Sequence, residues 1–364
     1  MTEFKTLRIF LVPALCVAML LAGPPAVAAQ EAPQQRSLPR PRAGTTETLA
    51  ALQQQIDHIR KAFPGEMSVY MKNLKTGEVI ALDSARVMET FSVIKVPIMV
   101  EVLRQAESGA FSLSDRIRLK ASDQRLPSGL LYALDPGLEP TIRDLLTLMI
   151  IISDNEATDL LADKVGRASI TRTMQGLGLT HTSIEFSDLD WDRLWLGRLD
   201  PAYKTASGDQ TIGFPFDKYS SQQVSEAFRQ TIYDSPIYFG HSTTGEIGLL
   251  FEKMARRELV SPAASDLMIE ILKKQQVNNR FPKYLADVEI AHKTGDGQPW
   301  LANDAGILWV PGQSAGQKND QPIVLVVFTG HHLGRTSSLH DAIARVAALV
   351  VRHYGGRLTP EYKE

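Results

Sequence analysis

The sequence predicts an α+β fold, in which an antiparallel sheet assembled from both ends of the chain is flanked by helices and carries an inserted all-helical domain. Strand patterns appear early, over 67–82, and again late, over 288–329. Between them, from Ser92 to about Glu258, the apolar spacing is mainly helical. A sheet built from both chain ends, with the helical middle as an insertion, satisfies this order.

The N-terminus has the layout of a secretory signal. Lys5 and Arg8 precede an apolar run over 9–22, and a stretch of small residues that ends at Ala29 follows. The run is short for a membrane-spanning helix. We therefore predict that residues 1–29 are a signal peptide, removed on export to the periplasm or the medium, with no stable membrane insertion afterwards.

The composition excludes several classes of function. A net charge of −2 over 364 residues indicates neither a nucleic-acid partner nor an anionic membrane partner. The single cysteine, Cys16, lies inside the predicted signal, so the mature chain has no thiol catalysis, disulfide or thiolate metal site. The eight histidines show no metal-binding spacing. We expect no metal, no cofactor, and a monomer whose partner is a small-molecule substrate.

The first part of the predicted sheet domain covers 46–88. It follows a polar, Pro-rich stretch over 30–45, which we expect to be a disordered linker. Apolar residues at helical spacing over 49–63 predict a helix. Alternation over 67–82 predicts a hairpin, with its turn at Lys75–Glu78.

The predicted helical domain covers 89–260. Apolar runs at 93–103, 142–152 and 247–254 predict its helices. Residues 184–241 contain many glycines, prolines and aromatic residues and keep no sustained period. They predict a long irregular loop, and a loop of that length in a compact domain is usually functional or has a fold of its own.

The second part of the predicted sheet domain covers 261–364. Segments at 288–293, 305–310 and 323–329 have the apolar content of strands. Apolar residues at helical spacing over 339–350 predict a closing helix. The two parts together supply the strands and the flanking helices of one discontinuous domain.

Ser92 and Lys95 form a Ser-x-x-Lys pair at the start of an apolar run. A spacing of three puts both side chains on one face of a helix, and the apolar neighbours predict that this helix is buried. Burial lowers the pKa of a lysine, and a neutral amine beside a serine hydroxyl can take its proton. The same pattern arises by chance, with Ser92 as a helix cap and Lys95 reaching solvent, so the other motifs must decide.

Two further motifs occur later in the chain. Ser153-Asp154-Asn155 follows an apolar helical run, although each of its residues is also a good helix N-cap. Lys293-Thr294-Gly295 ends an alternating strand pattern. A second copy of that tripeptide, Lys75-Thr76-Gly77, lies in the predicted hairpin turn, so the tripeptide alone proves nothing.

The conjunction of the three motifs is specific, because Ser-x-x-Lys, Ser-Asp-Asn and Lys-Thr-Gly occur in that order. From about residue 46 to the C-terminus the chain resembles the class A β-lactamases and the superfamily of penicillin-recognising serine hydrolases. Arg143–Met149 and the pair Asn303-Asp304 are also similar to stretches of that family. The resemblance implies a β-lactamase-like three-layer sandwich, and a serine hydrolase that opens the amide of β-lactams through an acyl-enzyme.

The resemblance also implies a role for each catalytic residue. Ser92 forms the acyl-enzyme, Lys95 activates it, and Ser153 relays a proton to the leaving nitrogen. The backbone N–H groups of Ser92 and Asp296 form the oxyanion hole, and Lys293 completes the catalytic set. An acylated serine needs a base, donors aimed at the oxyanion and a proton donor, so these roles are chemically complete.

The implied substrate-binding residues are Asn155, Thr294, Gly295 and Asp296. Asn155 holds the side-chain amide of the substrate. Lys293 and Thr294 grip its carboxylate, on the strand that continues through Gly295 and Asp296.

One part of the family pattern is missing. Class A β-lactamases carry a Glu-x-x-Leu-Asn stretch after Ser-Asp-Asn, and its glutamate activates the water that cleaves the acyl-enzyme. No such stretch occurs here. Asp188 is nearest to that slot and is our candidate base, while Glu185, Asp190 and Asp192 remain alternatives.

Other functions with the same acylation chemistry stay open. A peptidase acting on D-alanyl peptides, or an esterase, uses the same Ser-Lys machinery. A penicillin-binding relative that acylates without turnover is a third possibility. Sensors of that third kind need a membrane or signalling segment, and none is visible beyond the predicted signal.

Overall fold

The computed structural model describes residues 48–233, 237–311 and 320–363. The predicted signal peptide 1–29 and the predicted linker 30–45 therefore lie outside the described residues. Within the three ranges, no helix combines the length and apolar character that crossing a bilayer requires.

The strands and helices follow the predicted order, strands first, helices in the middle and strands again. The strands are β1 (Glu66–Asn73), β2 (Val79–Leu82), β3 (Met88–Glu89), β4 (Ser183–Ile184), β5 (Gly240–Ser242), β6 (Leu285–Ala286), β7 (Glu289–Gly297), β8 (Leu301–Val310), β9 (Gln321–Gly330) and β10 (Arg357–Leu358). The helices are α1 (Leu49–Ala62), α2 (Lys95–Glu107), α3 (Ile142–Ile151), α4 (Asn155–Val165), α5 (Arg167–Gly176), α6 (Asp188–Leu199), α7 (Gly208–Ile212), α8 (Ser221–Tyr233), α9 (Thr244–Ala255), α10 (Pro262–Leu272) and α11 (Thr336–His353).

A five-stranded antiparallel sheet has the spatial order β2-β1-β9-β8-β7. The predicted hairpin is β1 and β2, and β9 pairs with both β1 and β8. Strands from the two chain ends therefore share one sheet, which confirms the predicted α+β architecture. β7 forms one edge of this sheet, and the hairpin forms the other.

Both faces of the sheet are covered, which makes the domain three layers thick. Along β9, alternate side chains enter two different cores: Val324, Val326 and Phe328 face one, and Ile323, Leu325 and Val327 face the other. α1 and α11 close the second core, with the first on the opposite face. This double burial explains why β9 has a continuous apolar sequence where a half-exposed strand would alternate.

α9 lies against the other face of the sheet, where it contacts β1, β8 and β9. Its residues lie in the range 89–260, which the sequence predicts to be the helical domain. Its buried residues, including Ile247, Leu250 and Phe251, cover the face that α1 and α11 leave open. Apolar periodicity identifies the helix but does not tell which layer it covers.

The prediction of an irregular loop over 184–241 is wrong for most of its length. The described residues there form α6, α7 and α8 together with short 3-10 turns. Their packing is largely aromatic: Trp195 stacks on Phe216 and meets Phe228 edge-on. Gly and Pro residues between the short helices interrupt the apolar period. Aromatic rings also take the place of the regularly spaced aliphatic residues from which a helix is predicted.

Candidate active site

Ser92 lies in a 3-10 turn, Phe91–Ile94, that leads directly into α2. Phe91 has a φ of 42°, a left-handed conformation that is uncommon for an aromatic residue. The buried Glu89 carboxylate accepts from the Phe91 N–H at 2.9 Å, and Asn303 Nδ2 donates to the Glu89 carbonyl at 2.8 Å. Backbone strain of this kind persists only when surrounding bonds impose it, and it clusters at functional sites.

The turn is also packed by rings from the segment 184–241. Phe91 stacks on Phe239, with ring centroids 6.1 Å apart, and meets Trp191 edge-on at 5.6 Å. Trp191 belongs to α6, so the helices of this segment fix the position of the residue that precedes Ser92.

Lys95 is fully buried at the start of α2. Its Nζ donates to the Ser153 carbonyl at 2.8 Å, to Ser153 Oγ at 3.2 Å and to Asn155 Oδ1 at 2.8 Å. Burial lowers the pKa of Lys95, and the nearby Asp188 is the charge that opposes this most. Within the described residues Ser92 Oγ makes no hydrogen bond, so the direct bond to Lys95 Nζ is not formed here.

Ser153 and Asp154 combine the two roles that the sequence left open. Asp154 is the N-cap of α4: its Oδ1 accepts from the Ala157 N–H at 2.9 Å. Its Oδ2 accepts from the N–H groups of Leu130 and Leu131. Ser153, with a φ of 59°, is thereby turned toward both lysines of the site.

Lys293 is fully buried on the edge strand β7, in the middle of the strand and not at its end as predicted. Its Nζ donates to Ser153 Oγ at 3.1 Å and to the Thr294 carbonyl at 2.9 Å. Burial, followed by the charge of Lys95, holds the pKa of Lys293 well below its usual range. The hydroxyl of Ser153 is therefore shared by Lys95 and Lys293, and the three motifs converge on it.

The other Lys-Thr-Gly copy lies away from this point. Lys75 is exposed in the turn between β1 and β2, at the opposite edge of the sheet from β7. Gly77 adopts a φ of 78°, so the glycine there meets a turn requirement. The structure thus separates the two copies, and the copy on β7 is the one that bonds Ser153.

The strand β7 presents a backbone donor to the cleft. Thr329 Oγ1 bonds both the N–H and the C=O of Ala302, so these groups point toward β9. Asp296 is the antiparallel partner of Ala302, and its own N–H therefore points off the open edge of β7. Gly295 is required beside it, because a Cβ at that position would lie 2.4 Å from the Thr90 carbonyl oxygen.

Asp188 is the first residue of α6, and its environment differs from that of the other three candidate carboxylates. It is half-buried, and its Oδ2 is shielded from solvent and has no hydrogen-bonding partner in the described part of the chain. Burial raises the pKa of Asp188 to about 7, with Lys95 as the strongest opposing charge. A carboxylate that titrates near neutrality, close to a catalytic lysine, suits a general base.

Two of the alternatives to Asp188, Glu185 and Asp190, contact other side chains. Glu185 is exposed, with its Oε1 3.5 Å from His241 Nδ1. Asp190 accepts from Ser187 Oγ and pairs with Arg193.

Asp192 is buried and accepts from Trp195 Nε1 at 3.1 Å. Burial, and then the charge of Asp188, holds the pKa of Asp192 well above its usual range. Asp192 therefore tends to stay protonated at a pH at which Asp188 is ionised.

Asp159 and Arg125 were not identified from the sequence. Asp159 Oδ1 accepts from the Asp188 N–H at 2.8 Å, and its Oδ2 accepts from the Leu189 N–H at 3.1 Å. Arg125 Nε donates to the same Oδ2 at 2.5 Å, and both side chains of this pair are buried. The carboxylate satisfies the first N–H groups of α6 and so fixes where that helix begins.

The chain matches the beta-lactamase enzyme family over residues 51–354. A β-lactamase from Sphaerobacter thermophilus is similar in structure, with a TM-score of 0.66 and 22% identity over 85% of this chain and 98% of that chain. A β-lactamase from Chitinophaga pinensis gives 0.62 and 22% over 83% and 98%, and PBP-A gives 0.63 and 22% over 84% and 96%. No curated protein matches the chain.

Proposed function

Since this chain belongs to the beta-lactamase enzyme family, we propose that it is a serine hydrolase that forms an acyl-enzyme on Ser92 and opens the amide of β-lactams. The family resemblance predicted from the three motifs is confirmed, and the proposal concerns the activity. One observation carries it: Ser153 Oγ accepts from both Lys293 and Lys95, and Lys95 follows Ser92 by three residues. That arrangement supplies a base, a proton relay and a second amine in one buried cleft.

Acylation follows from these contacts. Lys95, its pKa lowered by burial, takes the proton of Ser92 as Oγ attacks the carbonyl carbon. The N–H groups of Ser92 and Asp296 stabilise the oxyanion. As the amide C–N bond breaks, Ser153 passes a proton to the leaving nitrogen and recovers one from the lysine pair that it bonds. The product is an ester between Ser92 and the opened ring.

Deacylation needs a base that faces the ester. Asp188 is held on α6 near Lys95, and its free Oδ2 can accept a proton from water. The water oxygen then attacks the ester carbonyl, and the proton returns to Ser92 Oγ when the ester bond breaks. Asp188 thus fills the role that glutamate has in the family pattern, from a differently built segment.

A peptidase or esterase remains the second candidate, because the similar structures include PBP-A as well as proteins described as β-lactamases. One is described as a PBP-A mutant in an acyl-enzyme complex with penicillin G. That observation is compatible with acylation as well as with slow turnover. A relative that acylates and does not turn over is the extreme case of slow turnover.

The deciding experiment follows intact mass with time after penicillin is added, alongside turnover of a chromogenic cephalosporin. We expect a mass increase by one penicillin on Ser92, followed by its loss as the chromogenic substrate is consumed. A stable adduct with no turnover would replace the β-lactamase proposal by the peptidase or the non-turnover function. No adduct and no turnover would reject the acyl-enzyme itself.

The two Lys-Thr-Gly copies give the first prediction. Lys293→Ala removes a buried amine that donates to Ser153 Oγ, and we expect acylation by penicillin to slow by about 10²–10³-fold. Lys75→Ala, in the exposed hairpin turn, should leave the rate within about two-fold of wild type. Acylation rates measured by quenched mass spectrometry check both. Equal effects of the two substitutions would contradict the assignment of the β7 copy.

A second prediction concerns the pair that positions Asp188. Asp159→Asn replaces one acceptor oxygen with an amide donor that faces N–H groups, so the start of α6 should shift. A displacement of about 1 Å can cost roughly 10²-fold, and we expect deacylation to slow by about 10- to 100-fold while acylation stays within about three-fold. Asp163→Asn, on the exposed side of α4, is the matched control.

The separate rates of adduct formation and adduct loss check this role. A general loss of structure would slow both steps and lower the thermal unfolding midpoint. If Asp159→Asn slows both steps equally, Asp159 stabilises the fold without positioning Asp188.

A further inference from the structure

Arg280 is a fully buried cation beside the cleft strand. Its Nη2 pairs with the Asp296 carboxylate, and its Nη1 donates to the Asn303 carbonyl at 3.0 Å. Its Nε has no partner within the described ranges. A guanidinium withdrawn from water needs an anion, and the chain supplies one from its own β7.

The same end of β7 has the other features of an anion site. Thr294 and Asp296 are two residues apart on the strand, so their side chains project from the same face. Thr294 Oγ1 is shielded from solvent and has no partner in the described chain. The neighbouring Lys293 Nζ bonds neutral oxygens of Ser153 and Thr294.

The other polar groups packed around Arg280 do not supply its counter-charge. His340 Nε2 lies 3.3 Å from Arg280 Nη2, and burial together with Arg280 lowers the pKa of that imidazole to about 4, so it is neutral near pH 7. Asp304 is held by His292 Nδ1 at 2.9 Å and by the Phe281 N–H at 3.1 Å. Asp296 is therefore the anion that balances the charge of Arg280.

We propose that Asp296 is a built-in counter-ion that occupies the anion site of the cleft and selects against substrates carrying a carboxylate next to the scissile bond. The inference rests on the proposed acyl-enzyme function and narrows its substrate class to uncharged lactams and esters. The Asp296 side chain is 39% exposed, and its charge acts against the lowering of the pKa of Lys293, so it reaches the cleft. Gln298 Nε2 also donates to this carboxylate and helps hold it in place.

The physical basis is a competition between two carboxylates for one guanidinium. A substrate carboxylate that approaches Thr294 Oγ1 comes close to Asp296, whose side chain projects from the same face of β7, and like charges a few ångströms apart repel strongly at low dielectric. An uncharged ester of the same substrate meets no such repulsion. The Asp296 backbone N–H still serves the oxyanion in either case, since it points off the edge of β7.

The experiment compares penicillin G with its methyl ester in wild type and in Asp296→Asn, by the second-order rate of adduct formation on Ser92. Wild type should react with the ester at least about 10-fold faster than with the free acid. Asp296→Asn keeps the shape and an acceptor for Arg280 and removes the charge. The acid-to-ester rate ratio should then rise by about 10-fold or more.

The matched control is Asp287→Asn, which removes an exposed carboxylate paired with Arg357 and should leave the ratio unchanged. An unchanged ratio in Asp296→Asn would overturn the inference, even if both compounds acylate Ser92. Should that variant fail to fold, wild type alone decides, because a faster reaction with the free acid than with the ester also overturns it. Absence of any adduct from both compounds would instead reject the proposed function.

Discussion

Ser92→Ala is expected to abolish covalent labelling by penicillin while the protein keeps its fold. The hydroxyl is the only atom removed, and without it no ester to the substrate can form at this position. Because Ser92 Oγ has no recorded partner in the described residues, its loss should cost no more than about 1 kcal/mol of stability. Intact mass spectrometry measures the labelling, and circular dichroism with a thermal midpoint measures the fold.

The loss of turnover in Ser92→Ala should exceed the loss caused by any other substitution considered. Water cannot take the place of the nucleophile, because the covalent intermediate would then not form. Loss of a catalytic nucleophile typically lowers turnover by about 10⁴–10⁶-fold. Ser108→Ala, just beyond the other end of α2, is the matched control and should label like wild type. Labelling of Ser92→Ala at the wild-type rate would show that another residue is the nucleophile.

The sheet and its helices could be predicted because each carries a local signal. The hairpin of β1 and β2 alternates around a Lys-Thr-Gly turn, and α11 keeps its apolar period over 339–350. Ser92, Lys95, Ser153 and Lys293 could be found because each lies at a fixed offset within a short motif. Their assembly around the Ser153 hydroxyl depends on the tertiary fold, and in the sequence only the order of the motifs predicted it.

The remainder of the site depends on pairs that leave no local trace. Arg125 and Asp159 are 34 residues apart, and Arg280 and Asp296 are 16 apart, with no period that links them. A buried arginine looks the same in sequence as an exposed one, so neither ion pair could be inferred. The segment 184–241 failed for a related reason, because its short helices are held by aromatic contacts with Phe91 and Trp300 that come from other parts of the chain.

The Lys95 environment shows where local reasoning was partly sufficient. The apolar neighbours of Lys95 predicted burial and a lowered pKa, and both are present. They did not predict that Nζ would bond Ser153 and Asn155 and make no recorded bond to Ser92. The contact with Ser92 is therefore expected to form when substrate enters, as catalytic hydrogen bonds often tighten only in the complex.

Asp188→Asn is expected to leave acylation almost unchanged and to make the acyl-enzyme accumulate. The substitution removes the charge and the basicity of the side chain while the Asp159 bonds to the backbone of α6 remain. Removal of a general base typically slows the dependent step by about 10²–10⁴-fold. A short-lived adduct in wild type should then become the dominant species by intact mass.

The pH dependence gives an independent check on the same residue. Burial raises the pKa of Asp188 to about 7, so the carboxyl is protonated below that pH and cannot take a proton from water. Deacylation by wild type should therefore rise as the pH increases through about 7 and level off above it. In Asp188→Asn this limb should disappear, whereas Asp190→Asn, whose carboxylate pairs with Arg193 on the exposed side of α6, should retain it.

The outcomes separate the possible bases, because each carboxylate of α6 has a different environment. If Asp192→Asn, and not Asp188→Asn, traps the adduct, the buried carboxylate beside Trp195 is the base. If none of the substitutions at Asp188, Asp190 and Asp192 traps it while wild type turns over freely, another base, such as Lys95 itself, must serve deacylation. If wild type itself stays acylated for hours, no base faces the ester, and the peptidase or non-turnover function takes the place of β-lactam hydrolysis.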